Sequence, residues 1–382
     1  MKKYLALLWI IILCLILLLT GLPKRATRTT PEVATADSPV RNQSTPDTPV
    51  RVQLLFLNRQ PVLQLIYDQL TKEFFDSTGI QVQTISSDSN LEERQPVLFS
   101  INDARQLSQW ECLDLSDTLA CANLASADFT LSEQDQVLGI ASEAESFGLI
   151  FDTSLLARTG HTAADIRSFT DLKAVAEYIT AHQQELGFGA FAAPDVSGRF
   201  AQLLSNLPGD IRPFWDLYSK NRADGDVSVF MLGTASDMKK LNAAGGAQLE
   251  MLPLYTGAPD EETQGLYCFG THYWCVRADA TQEETDGALA FLNFLVSPRA
   301  DGTVPVDDLG ILAPYRQAVY ARNPIEQRFR SDIAQGKTLN VCGALLNAPD
   351  GLAWTLRAYA ADPTDENWSA VQQLLDGQSS QT

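Results

Sequence analysis

Residues 145–179 read ESFGLIFDTSLLARTGHTAADIRSFTDLKAVAEYI and indicate a buried strand followed by two helices. Phe147, Leu149 and Phe151 alternate within an apolar run, which is typical of a strand covered on both faces. Gly160 marks the end of a short helix that follows this strand. A strand leading directly into helices is the repeating unit of an α/β protein.

The second helix of this block has a clear start. Ser168, followed three residues later by Asp171, resembles a capping box that opens the helix. The apolar residues after it recur at helical spacing and predict one buried face: Leu172, Val175, Ala176, Ile179 and Leu186.

The chain from residue 52 onward predicts a parallel strand–helix–strand unit. Residues 52–57 and 80–85 have strand patterns, and Gly79 ends the helix between them. Two strands joined by a helix within about thirty residues are expected to be parallel and right-handed. The helix is predicted to bury one stripe: Val62, Leu65, Ile66, Leu70 and Phe74.

These segments resemble the extracellular solute-binding proteins of ABC importers, the group that includes the maltose-binding proteins. Residues 145–160 match the family's E-x-x-G-(L/I)-x-(Y/F)-(N/D)-x-x-L-L-x-x-x-G run. The resemblance implies a two-lobed α/β fold, the type II periplasmic-binding-protein-like fold, with parallel-rich sheets flanked by helices. It also implies a ligand cleft between the lobes. The family's first helix and the strand after it are matched by Phe75, Thr78, Gly79, Ile80 and Val82.

The predicted domain organisation has an anchor, a linker and two lobes. At 382 residues the chain is longer than one hydrophobic core usually supports. Residues 1–22 are strongly apolar and predict a membrane anchor or a signal helix, and residues 23–50 predict a disordered linker rich in Thr, Pro and Ser. We assign 51–117 and 263–312 to lobe 1, and 118–262 and 313–382 to lobe 2.

Composition argues against several functions. The formal net charge of −19 disfavours nucleic acid as a partner. The common hydrolase, nucleotide-binding and zinc-protease motifs are absent from the sequence, so we predict that the protein is not an enzyme and uses no cofactor. With three histidines and no C-x-x-C pair, a metal site is not expected. Cys112 and Cys121 could form a short disulfide or remain small buried thiols.

Polar side chains at strand ends provide the first ligand candidates. Asn58 and Arg59 follow the first predicted strand, where the family commonly contacts its ligand; a solvated loop is the alternative. Asp103 follows the third strand and could accept a hydrogen bond from a hydroxyl, or could cap the helix after it. We prefer Glu145 to Glu143 as a ligand acceptor because Glu145 holds the motif position.

Further candidates come from the middle of the chain. Asp195 and Phe200 follow the AFAAP segment, which in the family enters a ligand loop of the second lobe. Thr234 follows the strand pattern of residues 227–233. The family often places an aromatic residue there, and its absence departs from the usual mode of oligosaccharide binding.

Aromatic residues complete the predicted site. Trp274 alternates with Tyr273 in a strand, so only one of the two can face the cleft, and we assign Trp274 to it. Trp354 resembles a tail aromatic that stacks on sugar in the family, with core packing as the alternative. His272 is interpreted as a hydrogen-bonded structural residue.

The sequence therefore predicts a monomeric receptor at the extracellular face of the membrane, tethered by its N-terminal segment. It would capture a small solute, above all a sugar or oligosaccharide, and deliver it to ABC permease subunits. A secreted or lipid-anchored form after cleavage is the alternative for location. The alternatives for function are a ligand sensor or adhesion module without a transporter, an extracellular glycoside hydrolase, and a receptor for a polyamine, peptide or metal chelate.

Overall fold

The computed structural model describes residues 52–86, 95–102, 106–107, 110–192, 210–244, 248–257, 265–317, 324–334, 338 and 351–379. The chain from Thr48 to Thr382 forms one compact unit. The predicted leader and linker at 1–22 and 23–50 lie outside the described residues. Among the helices that the structure describes, none has the length and apolar character needed to cross a bilayer.

The described strands form one mixed sheet of nine strands. They are β1 (Val52–Leu57), β2 (Ile80–Ile85), β3 (Leu98–Ile101), β4 (Thr130–Glu133), β5 (Gln136–Asp152), β6 (Gly189–Phe191), β7 (Ser228–Thr234), β8 (Leu249–Leu252) and β9 (Tyr267–Val276).

The helices lie between and after these strands. They are α1 (Gln64–Thr78), α2 (Leu119–Ala122), α3 (Thr153–Arg158), α4 (Phe169–Leu186), α5 (Arg212–Lys220), α6 (Ala235–Ala244), α7 (Gln282–Val296), α8 (Pro305–Asp308), α9 (Pro324–Ala334), α10 (Leu352–Ala361) and α11 (Asp365–Ser379).

The strand order is β2-β1-β3-β9-β5-β7-β6, and β4 and β8 also pair with β5. Pairing is parallel at both ends of this path, between β1 and its neighbours β2 and β3 and between β6 and β7. In the middle, β9 and β5 run antiparallel to each other and to their outer neighbours. The arrangement is the predicted α/β architecture, with an antiparallel centre joining two parallel ends.

Two large buried hydrophobic clusters lie along this sheet. The first cluster takes residues from 54–144 and 268–329, including the apolar faces of α1 and α7. The second cluster takes residues from 147–269 and 352–371, including the apolar faces of α4, α5 and α10. β5 and β9 contribute to both clusters, so these two strands connect the cores.

Helix starts and stops follow the sequence signals. Thr281 N and Oγ1 donate to Glu284 Oε2 at 2.9 and 2.8 Å, and Glu284 N donates to Thr281 Oγ1, which forms a capping box at the start of α7. Ser168 Oγ accepts from Asp171 N at 3.2 Å, so Ser168 caps α4 as predicted. The Asp171 carboxylate instead accepts from Arg167 N, one residue earlier than a capping box requires.

The buried face of α1 differs from the prediction. Val62 and Leu65 are 87% and 77% exposed. Pro61–Leu63 forms a single 3-10 turn before α1 begins, so the residues turned inward are not those expected from one continuous α-helical stripe. The buried residues of the turn and of α1 are Leu63, Tyr67, Leu70, Thr71 and Phe74.

The close contact between β5 and β8 requires a glycine at position 148 of β5. A Cβ atom at Gly148 would lie 2.4 Å from the Leu252 carbonyl oxygen. We expect Gly148→Ala to destabilise the protein by about 1–3 kcal/mol, because β8 must move away from β5. Gly225→Ala is the matched control, since open space surrounds that position. Denaturant unfolding followed by circular dichroism measures both, and equal midpoints would contradict the prediction.

Asp332 on α9 is a buried carboxylate whose burial raises its pKa, with Arg328 at 3.7 Å opposing the shift. The folded state therefore holds the Asp332 proton more tightly than the unfolded state, and ionisation costs stability at neutral pH. We expect Asp332→Asn to unfold at higher denaturant than wild type at pH 7, with the difference shrinking toward pH 4. A variant less stable at both pH values would show that the Arg328 contact outweighs the burial cost.

Candidate functional site

The candidate site lies where β5 and β9 pass from one hydrophobic cluster to the other. On β5, Ala144 belongs to the first cluster and Phe147 to the second. On β9, Tyr273 belongs to the first and Phe269 to the second. We call residues 142–146 of β5 and 268–272 of β9 the junction.

The ladder between β5 and β9 is irregular at the junction. Ala141 pairs with Tyr273 and Glu143 with His272, so Ser142 has no opposite residue. The register shifts again after Glu143, because Ala144 pairs with Gly270 and Thr271 is passed over. A bulge bends its strand and turns side chains in new directions, and bulges are frequent beside binding sites.

A polar cluster from three separate segments occupies the junction. Glu143 Oε2 accepts from Gln60 Nε2 at 2.7 Å and lies 2.8 Å from His272 Nδ1. The side chains of His272 and Glu143 are 21% and 23% exposed, so they meet solvent, whereas Gln60 as a residue is only 8% exposed. We call Gln60, Glu143 and His272 the junction cluster.

The junction also holds buried acceptor atoms that no described group satisfies. Gln60 Oε1 and Ser142 Oγ have no hydrogen-bond partner among the residues that the structure describes. Buried polar atoms normally have a hydrogen-bond partner, so each exception in a native structure calls for an explanation. A ligand that presents hydroxyl or amine donors would suit Gln60 Oε1 beside the Glu143 carboxylate.

The loop after β1 sets the position of Gln60. Asn58 is fully buried; its Oδ1 accepts from Gln60 N and its Nδ2 donates to Gln60 O, both at 2.9 Å. Arg59 N donates to Ser100 Oγ at 2.7 Å, which ties the same loop to β3. Asn58 therefore shapes the turn that presents Gln60, and Arg59 lies half-buried next to it.

Glu145 lies on β5 but faces a different element from Glu143. Its Oε1 accepts from Ser236 N in the first turn of α6 at 3.2 Å, where the partial positive charge of a helix N-terminus stabilises a carboxylate. Thr234 is buried, and its N and Oγ1 donate to Asp237 Oδ2 at 3.0 and 2.9 Å. Glu145 and Thr234 each form hydrogen bonds with the first turn of α6, and both are almost fully buried.

The two tryptophan candidates lie in contrasting surroundings. Trp274 is fully buried in the first cluster, where its Nε1 donates to Tyr67 Oη at 3.3 Å and its ring stacks on Tyr315. With no exposed surface, Trp274 is left out of the proposed site. Trp354, on α10, is 71% exposed, so it does not pack in the core, which is the alternative role that the sequence leaves open.

The negative charge of Glu143 affects the pKa of Tyr67, which lies in the first cluster. Burial raises the pKa of the Tyr67 phenol far above its ordinary value; the hydrogen bond from Trp274 opposes that rise and the charge of Glu143 adds to it. Tyr67 therefore remains a neutral phenol that holds the Trp274 indole beneath the junction.

Three predicted site residues, Asp103, Asp195 and Phe200, lie outside the described residues. Among the residues that the structure does describe, no group of three or more His, Cys, Asp and Glu side chains could hold a metal ion.

The sequence does not single out Gln60, and it indicates a structural role for His272 and a preference for Glu145 over Glu143. Gln60 directly follows Asn58 and Arg59, so extending the loop candidates by one residue would have found it. The direction of Glu143 and His272 depends on two bulges, and no residue pattern in the sequence signals these bulges.

Comparisons with known proteins support the fold through structure alone. No protein-family model matches the sequence. No curated protein sequence matches it. A family 1 extracellular solute-binding protein from Bifidobacterium longum subsp. infantis has a TM-score of 0.64 at 16% identity, covering 86% of this chain and 99% of that one.

Two further solved structures are similar over the same extent. The apo form of RafE from Streptococcus pneumoniae has a TM-score of 0.64 at 11% identity, covering 87% of this chain and 98% of that one. The cyclic alpha-maltosyl-1,6-maltose binding protein from Arthrobacter globiformis has a TM-score of 0.61 at 13% identity, covering 86% and 98%. The chain has the fold of the family 1 extracellular solute-binding proteins, as its sequence motifs predict.

The junction cluster contributes to stability as well as to polarity. We expect Gln60→Ala to lower the free energy of unfolding by about 1–2 kcal/mol, because the partly buried Glu143 carboxylate loses its amide donor. Gln53→Ala on β1 removes the same side chain from an exposed position and is the matched control. Urea denaturation of both variants tests this, and an equal loss in the two would contradict it.

Proposed function

We propose that the protein is an extracellular receptor that captures a carbohydrate at the junction and delivers it to an ABC permease. The observation that carries this proposal is the junction cluster. Gln60, Glu143 and His272 come from positions far apart in the chain, yet they meet at a partly exposed point between two hydrophobic cores. Such a point between two cores is where ligands commonly bind.

In this proposal each hydrophobic cluster is the core of one lobe. Residues 118–144, assigned from sequence to the second lobe, include buried residues of the first cluster such as Leu124 and Ile140. The clusters therefore favour crossings near residues 145 and 268 on β5 and β9 and after Phe329, in place of crossings near 118, 262 and 312. Hinge movement at the junction would bring the two lobes together over the ligand.

A sugar fits the chemistry of the candidate residues. Its hydroxyl groups can donate to Glu143 and to Gln60 Oε1, and an exposed tryptophan such as Trp354 offers a flat surface for the C–H face of a pyranose ring. RafE, one of the structurally similar proteins, has been solved in complex with raffinose. These points favour a carbohydrate over the cationic and peptide ligands that the sequence leaves open.

The proposed location is the extracellular face of the cell membrane. The apolar run of residues 1–22 would hold the protein there as a monomer, and residues 23–50 would let it reach the permease subunits. A leader that is cleaved would leave the same receptor secreted or lipid-anchored.

A thermal-shift screen of residues 48–382 tests the proposal. The probes are raffinose, maltotriose, galactose and ribitol as carbohydrates, with spermidine and trialanine as representatives of the other classes. A ligand that binds only the folded state raises Tm with the logarithm of its concentration, and an excess of 100 over Kd adds about 2.7 kcal/mol. We expect at least one carbohydrate to raise Tm in this way.

Matched variants connect the binding to the site. For Glu143→Ala and for Trp354→Ala, we expect that the ligand concentration needed for a given Tm shift rises about tenfold. Tyr178→Ala, an exposed aromatic on α4, should leave it unchanged. A shift with spermidine alone would transfer the proposal to a cationic solute, and no shift with any probe would overturn it.

A further inference from the structure

Two cysteines that are 163 positions apart in the sequence meet beside β9. Cys112 forms an isolated antiparallel bridge with Arg277, supported by hydrogen bonds from Leu113 N to Val276 O at 2.8 Å and from Ala278 N to Glu111 O at 2.7 Å. Arg277 directly follows β9 and Cys275 lies two residues before it, so the two side chains lie on the same face of the extended chain. Cys112 and Cys275 are therefore diagonal neighbours on one face.

The two thiol groups are in contact. The Cys275 side chain hydrogen-bonds to Cys112, and this bond lowers the pKa of the Cys112 thiol while burial opposes the change. Cys275 is fully buried over Gly139, where an added Cβ atom would lie 2.9 Å from its Sγ. Cys112 is half-buried and so remains within reach of small molecules.

Cys121, the partner considered from the sequence, is in a different environment. It lies on α2, and burial raises the pKa of its thiol, with the charge of Asp114 adding to the effect. Among the described cysteines, Cys112 is therefore the more nucleophilic thiol. Cys275 is the neighbouring thiol that can form a disulfide with Cys112 once Cys112 is oxidised.

We propose that Cys112 and Cys275 are an oxidisable pair that forms a reversible disulfide. Diagonal neighbours in an antiparallel ladder lie about 7–8 Å apart between Cα atoms, just beyond the disulfide range, so the bond forms only if the backbone moves. A single bridge holds Cys112 to β9 in this segment, so a small shift of Cys112 toward Cys275 closes the gap.

The oxidant is a small disulfide such as oxidised glutathione. The Cys112 thiolate attacks one sulfur of that disulfide, which forms a mixed disulfide and releases one glutathione thiolate. Cys275 then loses its proton as its sulfur attacks Sγ of Cys112, and the second glutathione leaves and takes up that proton. Two protein thiols are oxidised and one small disulfide is reduced to two thiols.

The cross-link would enclose most of the second cluster. The loop from Cys112 to Cys275 contains β4 to β8 and α2 to α6, and both of its ends would be fixed on the first-cluster side of the junction. Closing so long a loop restricts the unfolded chain strongly, which favours the folded state. The oxidised protein should therefore have the higher Tm.

The test is oxidation of the full-length chain, purified in detergent under reducing conditions, with oxidised glutathione. We expect loss of two of the six thiols, a peptide pair joining Cys112 to Cys275 in mass spectrometry, and a Tm higher by about 3 °C. Dithiothreitol should reverse all three changes.

Variants separate this pairing from its alternatives. Cys112→Ser should abolish the cross-link and the Tm increase, whereas Cys121→Ser should change neither. Because peptide mapping is done on the wild-type chain, the result does not depend on a variant that folds poorly. A link between Cys112 and Cys121, a stable glutathione adduct on Cys112, or six remaining thiols would each overturn the proposal.

Discussion

The antiparallel pairing of β5 with β9 is the constraint on which the rest of the structure depends. These two strands supply buried residues to both hydrophobic clusters, and the outer strands are added on either side of them. The apolar run of residues 147–151 can be continuous because β7 and β8 pair with β5 there while helices cover its faces. Parallel units at both ends of the sheet are thus held in register by one central ladder.

The polar character of the junction follows from a local failure of that ladder. If β5 and β9 paired regularly, the direction of the Glu143 side chain would be fixed by the alternation of side chains along the strand. The shifts at Ser142 and Thr271 release it to meet Gln60 and His272. A carboxylate placed this close to two cores is tolerable because an amide and an imidazole face it, and because part of its surface still meets solvent. Structure and candidate chemistry therefore have a common origin at the junction.

Much of the fold is predictable from residues that are close in the sequence, whereas the candidate site depends on residues that are far apart in it. The cap at Ser168 is predictable because a helix start depends on residues three apart. The prediction that Val62 and Leu65 are buried is wrong, because a 3-10 turn changes the helical phase without a distinct pattern in the sequence. The strand-end pattern indicates Asn58, whose amide shapes the turn, but it does not single out Gln60 two residues later. Which polar residue reaches the junction depends on register between distant strands, and a single sequence does not contain that register.

The continuity of β5 and β9 has a consequence for how the protein denatures. Separate cores often melt independently, each with its own transition. Here the backbone hydrogen bonds of one core continue into the other, so loss of either core frays the strands that support its neighbour. Because both clusters share β5 and β9, we expect them to unfold together in one cooperative transition. This holds even though each cluster is large enough to resemble the core of an independent folding unit.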